Sequence, residues 1–236
     1  MDQKTFDGIP VTGEAGIDVD AVIAAAQFKN WLASMDRERF TIKSVHIQSV
    51  DKFGPKIGFI KFKADLADSR GKFLPGIIFM RGNSVGILPV FTCKGRSYAV
   101  LTVQPRAATG RFDFVEIPAG MLDGSGNFAG TAAKELDEEL ALKITEAELT
   151  DLSGLAGLNA GFYPSPGGCD EAIRLFTFTR AVSEAELAAM NGKCTGLLDE
   201  GEQITLKIAP LDELWSIPDG KTIAAIALYQ RFVAGA

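Results

Sequence analysis

Histidine is almost missing from this chain. There is one, His46, in 236 residues, which rules out a multi-histidine metal site and argues against a histidine-based catalytic triad. Cysteine is scarce too: Cys93, Cys169 and Cys194 are odd in number, widely spaced and without a C-x-x-C pair. That argues against a disulfide framework and against a zinc site. No apolar run approaches the ~20 residues needed to cross a bilayer. The first residues show no basic-then-apolar leader and the last four, Val-Ala-Gly-Ala, no address or lipid motif. The reading is a soluble, cytoplasmic protein with no membrane partner, organelle targeting being left open. Positive charge is in deficit, with a net charge of −6, which argues against nucleic acid as a partner. Any metal chemistry must therefore use oxygen ligands, and a general base is expected to be a carboxylate. His46 itself sits in a strand-like run, Ile42 to Ser49, and is read as structural.

Core material is ample, at 47 % hydrophobic residues. Residues 1–17 are glycine-rich and mixed, and are read as a poorly ordered arm. Asp18 or Asp20 caps an expected helix that runs to about 33–35, with Phe28, Trp31, Leu32 and Met35 at packing spacing. Strand-like runs follow at 40–49, 57–65, 76–81, 85–92, 97–104 and 112–117, punctuated by Gly, Pro, Asn and Asp. Thr145-x-x-Glu148 and Ser183-x-x-Glu186 are capping-box signals for two short helices. A strand is expected at 173–180, a half-buried one around Ile204, Leu206 and Ile208, and a buried helix from Thr222 to Val233. There is no repeat. The mixture lacks strict βαβ alternation, so the fold class is α+β or a layered α/β/α arrangement.

One helix stands out. Glu135, Glu138 and Glu139 lie at i, i+3 and i+4, on one face, while Ala129, Ala132, Ala133, Leu136 and Leu140 fall on a neighbouring arc. Asn127 is a candidate N-cap. Acidic helix faces are usually just solvated. Like charges this close repel, however, and a hard divalent cation would turn that repulsion into binding. In front of the helix lies Phe114-Val-Glu116-Ile-Pro118-Ala119-Gly120, a β-like run ending in a turn.

Together these segments resemble the Nudix box, G-x5-E-x7-R-E-U-x-E-E-x-G-U, where U is aliphatic. Gly120, Glu135, Leu136, Glu138, Glu139 and Leu142 match. Lys134 replaces the arginine, Gly126 the first glutamate and Ala141 the late glycine. The resemblance covers about 85–235. It implies an α/β/α sandwich with a mixed β-sheet, here with an N-terminal helix and β extension. The division expected is 1–84, an arm, helix and β extension read as a dimerisation unit, and 85–236, the Nudix hydrolase domain. Within the family, the ADP-ribose/ADP-sugar pyrophosphatase branch is the nearest in pattern.

That resemblance implies Mg²⁺, with Mn²⁺ as a substitute, held by Glu135, Glu138, Glu139 and the carbonyl of Ala119. It implies Glu200 or Glu202, in the acidic run 199–203, as the base, beside Glu139 as a catalytic carboxylate. Arg106, Glu116, Gly120 and Glu171 match positions near substrate. Glu171 ends a Ser-Pro-Gly loop, 165–171, similar to one in that branch, and Glu116 is equally able to pair locally. A guanidinium such as that of Arg106 suits bidentate recognition of phosphate. Phe112, Phe114, Phe162 and Tyr163 are eligible to stack on a base. Lys134 keeps the charge of the lost arginine and can pair with Glu138 at i+4. Asp123 is placed to deputise for the glutamate lost at Gly126. The activity implied is metal-dependent cleavage of a nucleoside diphosphate sugar, ADP-ribose or ADP-glucose foremost, to a nucleoside monophosphate and a sugar phosphate, by a homodimer. Two alternatives stay open: a catalytically weak Nudix-like binding or scaffold protein, and an enzyme for another nucleoside diphosphate derivative.

Overall fold

A computed structural model describes residues 3–122, 127–140, 142–196 and 203–235. The chain divides into two compact units, one of residues 1–83 with 165–171, the other of 84–164 with 172–236.

The first unit is a twisted sheet backed by two short helices. β1 (Lys4–Phe6) and β2 (Ile9–Gly13) form a hairpin. The expected loose arm is thus an ordered structure. The two-residue turn Asp7-Gly8 takes φ of 50° and 76°, the left-handed pair that matches strand twist in a tight hairpin. Ile9 and Val11 are buried, and β2 pairs parallel with β3 (Phe40–Phe53). β3 pairs antiparallel with β4 (Lys56–Asp68), and β4 carries β5 (Phe73–Leu74) and β6 (Ile77–Met80). The single helix expected after Asp18 is two, α1 (Val19–Ala24) and α2 (Ala26–Ser34), split by Ala25 in extended backbone. Asp18 does cap α1, accepting from the Ala21 N–H at 3.0 Å. Val22 and Phe28 both join the same core. Six residues apart on one helix they would point about 240° apart, so the break brings both inward. His46 is held by Thr12 at Nδ1 (2.9 Å) and Glu14 at Nε2 (3.1 Å).

The second unit is a mixed sheet between helices. Its strands are β7 (Ser84–Cys93), β8 (Arg96–Arg106), β9 (Arg111–Glu116), β10 (Ala119–Met121), β11 (Thr150–Asp151), β12 (Ile173–Ala181), β13 (Cys194–Thr195) and β14 (Ile204–Pro210). The order across the sheet is β11-β12-β7-β8-β14-β13, with β10 on β7 and β9 on β8. β12 runs parallel to β7, and the other pairs are antiparallel. The apolar run of β7 is buried almost throughout, as a strand covered on both faces must be. Val85, Ile87 and Phe91 face a core shared with α3 (Phe128–Leu140). Leu88 and Val90 face a core shared with α6 (Gly220–Phe232) and with Leu152 of α4 (Leu152–Leu155). α5 (Glu184–Met190) lies on the α3 side. The architecture is therefore the mixed-sheet, helix-covered arrangement expected. α6 is not buried all round. Thr222, Ala225, Ile226 and Tyr229 form a single buried stripe at i, i+3, i+4 and i+7, and Ile223 is exposed. Among the described residues no helix is long and apolar enough to cross a membrane.

Candidate active site

α3 starts where Asn127 accepts the Gly130 N–H at 3.0 Å, satisfying a donor that the helix leaves orphaned. Ala132, Leu136 and Leu140 are buried in the sheet's core, each large side chain contributing about 1.5–3 kcal/mol. That apolar anchoring fixes which way the carboxylates point. Glu139 is itself buried and accepts the Ala119 N–H at 3.2 Å. Glu135 lies under Gly120, and a Cβ added there would meet its Oε1 at 1.8 Å. The glycine is what lets this carboxylate occupy its place. Glu138 pairs with Lys134 at 3.2 Å, one helical turn apart.

The turn that receives these carboxylates is pinned from several sides. The Pro118 carbonyl accepts from Ile87 N–H at 2.9 Å, Ala119 pairs with Gly86 of β7, and the Ile117 N–H donates to Thr222 Oγ1 at 3.1 Å. At the other end of α3, the Thr195 hydroxyl donates to the Glu139 carbonyl at 2.5 Å. Thr195 pairs with Ile204. Glu200 and Glu202 fall between them in sequence but lie outside the described residues, as do Asp123, Gly126 and Ala141.

Arg106 and Glu116 are brought together, Nε to Oε1 at 2.6 Å. Glu116 is 2 % exposed. Its second oxygen takes a close hydrogen bond from Lys221, whose ammonium also reaches Asp219 Oδ1 at 3.2 Å. Sequence reasoning missed both residues: the Glu116–Lys221 contact spans 105 positions. The one available signal was Asp219, since an Asp just ahead of an apolar helical run is an N-cap pattern.

Glu171 lies in the first unit, its Oε1 3.6 Å from Arg81 Nε. Its neighbour Asp170, also missed, accepts the N–H groups of Arg81 (2.8 Å) and Gly82 (3.2 Å). Burial pushes the Cys169 thiol above its ordinary range, so it is no activated nucleophile. Of the four aromatic residues, Phe114 is buried and Phe162 packs against the core, while Phe112 is 82 % exposed and Tyr163 53 %.

Comparisons with known proteins give the family and the fold. Residues 80–231 match the family model for the NUDIX domain. The chain belongs to the Nudix family. A Nudix protein of Arabidopsis thaliana, named "Nudix hydrolase 14, chloroplastic", is 40 % identical over 235 residues, covering 93 % of this chain and 76 % of that one. A crystal structure of an ADP compounds hydrolase superposes with a TM-score of 0.53 at 16 % identity, over 83 % of this chain and 97 % of that one. That likeness is one of fold. The chain is thus a Nudix hydrolase, acting on pyrophosphate-containing substrates.

Nudix enzymes generally use divalent metal ions. Among the described residues no three His, Cys, Asp or Glu side chains close into a complete cage. The donor chemistry nonetheless fits such an ion. Glu135 and Glu139 reach the Ala119–Gly120 turn, all donors are hard oxygens, and Mg²⁺ is commonly held by one or two carboxylates with waters and substrate phosphates completing the shell.

Proposed function

We propose that this Nudix hydrolase cleaves the pyrophosphate of a nucleoside diphosphate sugar, ADP-ribose or ADP-glucose foremost, giving a nucleoside monophosphate and a sugar phosphate. The observation that carries the reading is the convergence of Glu135 and Glu139 on the Ala119–Gly120 turn, a few residues after the Arg106–Glu116 pair. The Ser-Pro-Gly loop and the likeness in fold to an ADP compounds hydrolase support the choice of ADP-sugars.

Glu135, Glu138, Glu139 and the Ala119 carbonyl hold Mg²⁺, or Mn²⁺ in its place. When bound, the metal neutralises phosphate charge and lowers the pKa of a water. Arg106 binds a phosphate oxygen, and Gly120 keeps the turn open to substrate. Glu116 holds Arg106 until substrate arrives, and Glu171 contributes to substrate selection. Glu200 or Glu202 takes the proton from the attacking water. Their support is the anchoring of the flanking Thr195 on the Glu139 carbonyl. The exposed ring of Phe112 or Tyr163 stacks on the base.

The enzyme acts as a homodimer through its N-terminal unit. Phe53, Ile77 and Phe79 are exposed there, with Phe59 packed between the rings of Phe53 and Phe79 at 5.0 and 5.2 Å. Its compartment is the cytoplasm, or an organelle such as the one named for the plant relative.

The test is product release from ADP-ribose, ADP-glucose, UDP-glucose and diadenosine polyphosphates, with Mg²⁺, Mn²⁺ or EDTA. Metal-dependent cleavage of an ADP-sugar is expected. Preference for a dinucleoside polyphosphate would overturn the substrate assignment. The competing reading, a binding protein with weak catalysis, draws on Lys134 engaging Glu138. Tight binding of ADP-ribose in EDTA with no product over hours would establish it instead.

A further inference from the structure

Two carboxylates and two cations form a charge-balanced cluster at the head of α6: Arg106, Glu116, Lys221 and Asp219. Their exposures are unequal. Glu116 and Asp219 are buried, the Lys221 side chain is 10 % exposed, and the Arg106 side chain is 42 % exposed. Arg106 is therefore the member at the solvent side, and the only one placed to meet an incoming anion. Of its guanidinium donors, Nε is committed to Glu116, so the side chain is held at that carboxylate until this one bond is exchanged.

Drawing Arg106 toward a substrate oxygen would strip a buried carboxylate of its partner, which is costly when no other cation is present. Here another cation is present. We propose that Lys221 is the standing counter-ion of Glu116, and that it frees Arg106 to exchange Glu116 for an anionic oxygen of the substrate. Lys221 is thereby a positioning residue for phosphate binding, though it does not touch substrate itself. The proposal rests on the reading of Arg106 as a substrate contact.

Asp219 explains why one lysine suffices for two carboxylates. Its Oδ2 accepts from the Thr222 N–H at 3.1 Å and the Thr222 hydroxyl at 2.6 Å. It sits as N-cap of α6, where the helix end favours negative charge. Asp219 is thus compensated by the helix, and Lys221 is left for Glu116. Thr222 Oγ1 also receives the Ile117 N–H, so the cluster is fixed to the turn that carries Gly120. The exchange then moves one flexible side chain while the backbone of the site stays put.

The test is steady-state kinetics with ADP-ribose and Mg²⁺ on Arg106→Ala, Lys221→Met, Lys221→Arg and the double variant Glu116→Gln/Lys221→Met, with thermal unfolding of each. Arg106→Ala should raise KM by on the order of 10- to 100-fold. Lys221→Met should raise KM by a similar factor while kcat falls less than about threefold, because Arg106 is then the sole partner of Glu116. Adding Glu116→Gln removes the charge that holds Arg106, and should bring KM most of the way back. Lys221→Arg should stay near wild type. A purely structural role would lower the unfolding temperature of Lys221→Met without a KM shift that Glu116→Gln reverses, and that result would overturn the proposal. If Lys221→Met does not fold, Glu116→Gln alone decides: KM should fall when Arg106 is released, and an unchanged or raised KM counts against the exchange. No effect of Arg106→Ala would sink the underlying reading of Arg106. A large effect of Arg106→Ala beside none of Lys221→Met would sink only the exchange.

Discussion

Gly120→Ala is the sharpest perturbation of the Ala119–Gly120 turn. The new Cβ would sit 1.8 Å from Glu135 Oε1, 1.9 Å from its Cδ and 2.5 Å from its Cγ. Ordinary contact begins near 3.4 Å, so the carboxylate must retreat by roughly 1.5 Å. The obstacle is the end of a flexible, half-buried side chain and not backbone, so the fold should yield cheaply, with a melting shift within about 4 °C. Catalysis should not. A displacement on the order of 1 Å in a positioned group costs about 10²-fold, or ~2.7 kcal/mol of transition-state stabilisation. The assay is kcat/KM on the preferred pyrophosphate substrate across a Mg²⁺ titration, with a higher metal requirement expected beside the lower rate. Because the damage passes through Glu135, Gly120→Ala added to Glu135→Ala should cost little more than Glu135→Ala alone. Fully additive losses would refute the reasoning, as would Gly120→Ala retaining activity within about threefold of wild type.

Glu139→Gln should lower turnover by at least about 10²-fold with little change in melting, since an amide oxygen still accepts the Ala119 N–H but carries no charge; near-normal rates would remove Glu139 from the mechanism. Gly76→Ala would place a Cβ 2.1 Å from the Ala64 carbonyl oxygen. That oxygen is backbone and cannot step aside, so a loss of about 2 kcal/mol or more is expected in urea unfolding. Glu148 accepts hydrogen bonds from the Thr145 N–H and hydroxyl and pairs with Arg180, which together hold its pKa below the ordinary 4.5. The sign follows: its stabilisation is full above pH 4.5 and is lost as pH falls through the lowered folded value. The melting difference between wild type and Glu148→Gln should therefore be present at pH 7 and close on acidification; a gap independent of pH would contradict it.

Local patterns read well from the chain wherever one short segment carried its own physics. Asn127 caps α3 as expected. Both capping boxes form, Thr145 with Glu148 and Ser183 with Glu186, though the first opens only a single 3-10 turn. Lys134 meets Glu138. The strand-like run at 85–92 is β7, which proves buried almost throughout. Failures came in two kinds. The Asp7-Gly8 hairpin was written in the chain, but its strands are too short to show a period before β3 is there to pair with β2. The break at Ala25 has no local cause at all, since alanine favours helix and the packing of Val22 and Phe28 overrides it. At the site, the carboxylates of α3 could be placed because helical spacing is short-range. Lys221 and Asp219 could not, because nothing near Lys221 in the chain says that a glutamate 105 positions earlier will need it. Glu116, matched by resemblance to a position near substrate and equally able to pair locally, has both carboxylate oxygens engaged, by Arg106 and Lys221.

The clasp of Asp170 on Arg81 and Gly82 has a consequence in time. The N–H groups it receives leave the ribosome 89 and 88 positions ahead of it, and the Phe79 N–H must likewise wait for the Gly168 carbonyl. At ~5–20 residues per second, that is a delay on the order of 5–20 s. During it β6 is a nascent edge without its last partners, open to pairing with strands of neighbouring chains. The N-terminal unit starts first and finishes late, so the speed of translation between residues 84 and 164 sets how long that edge stays exposed.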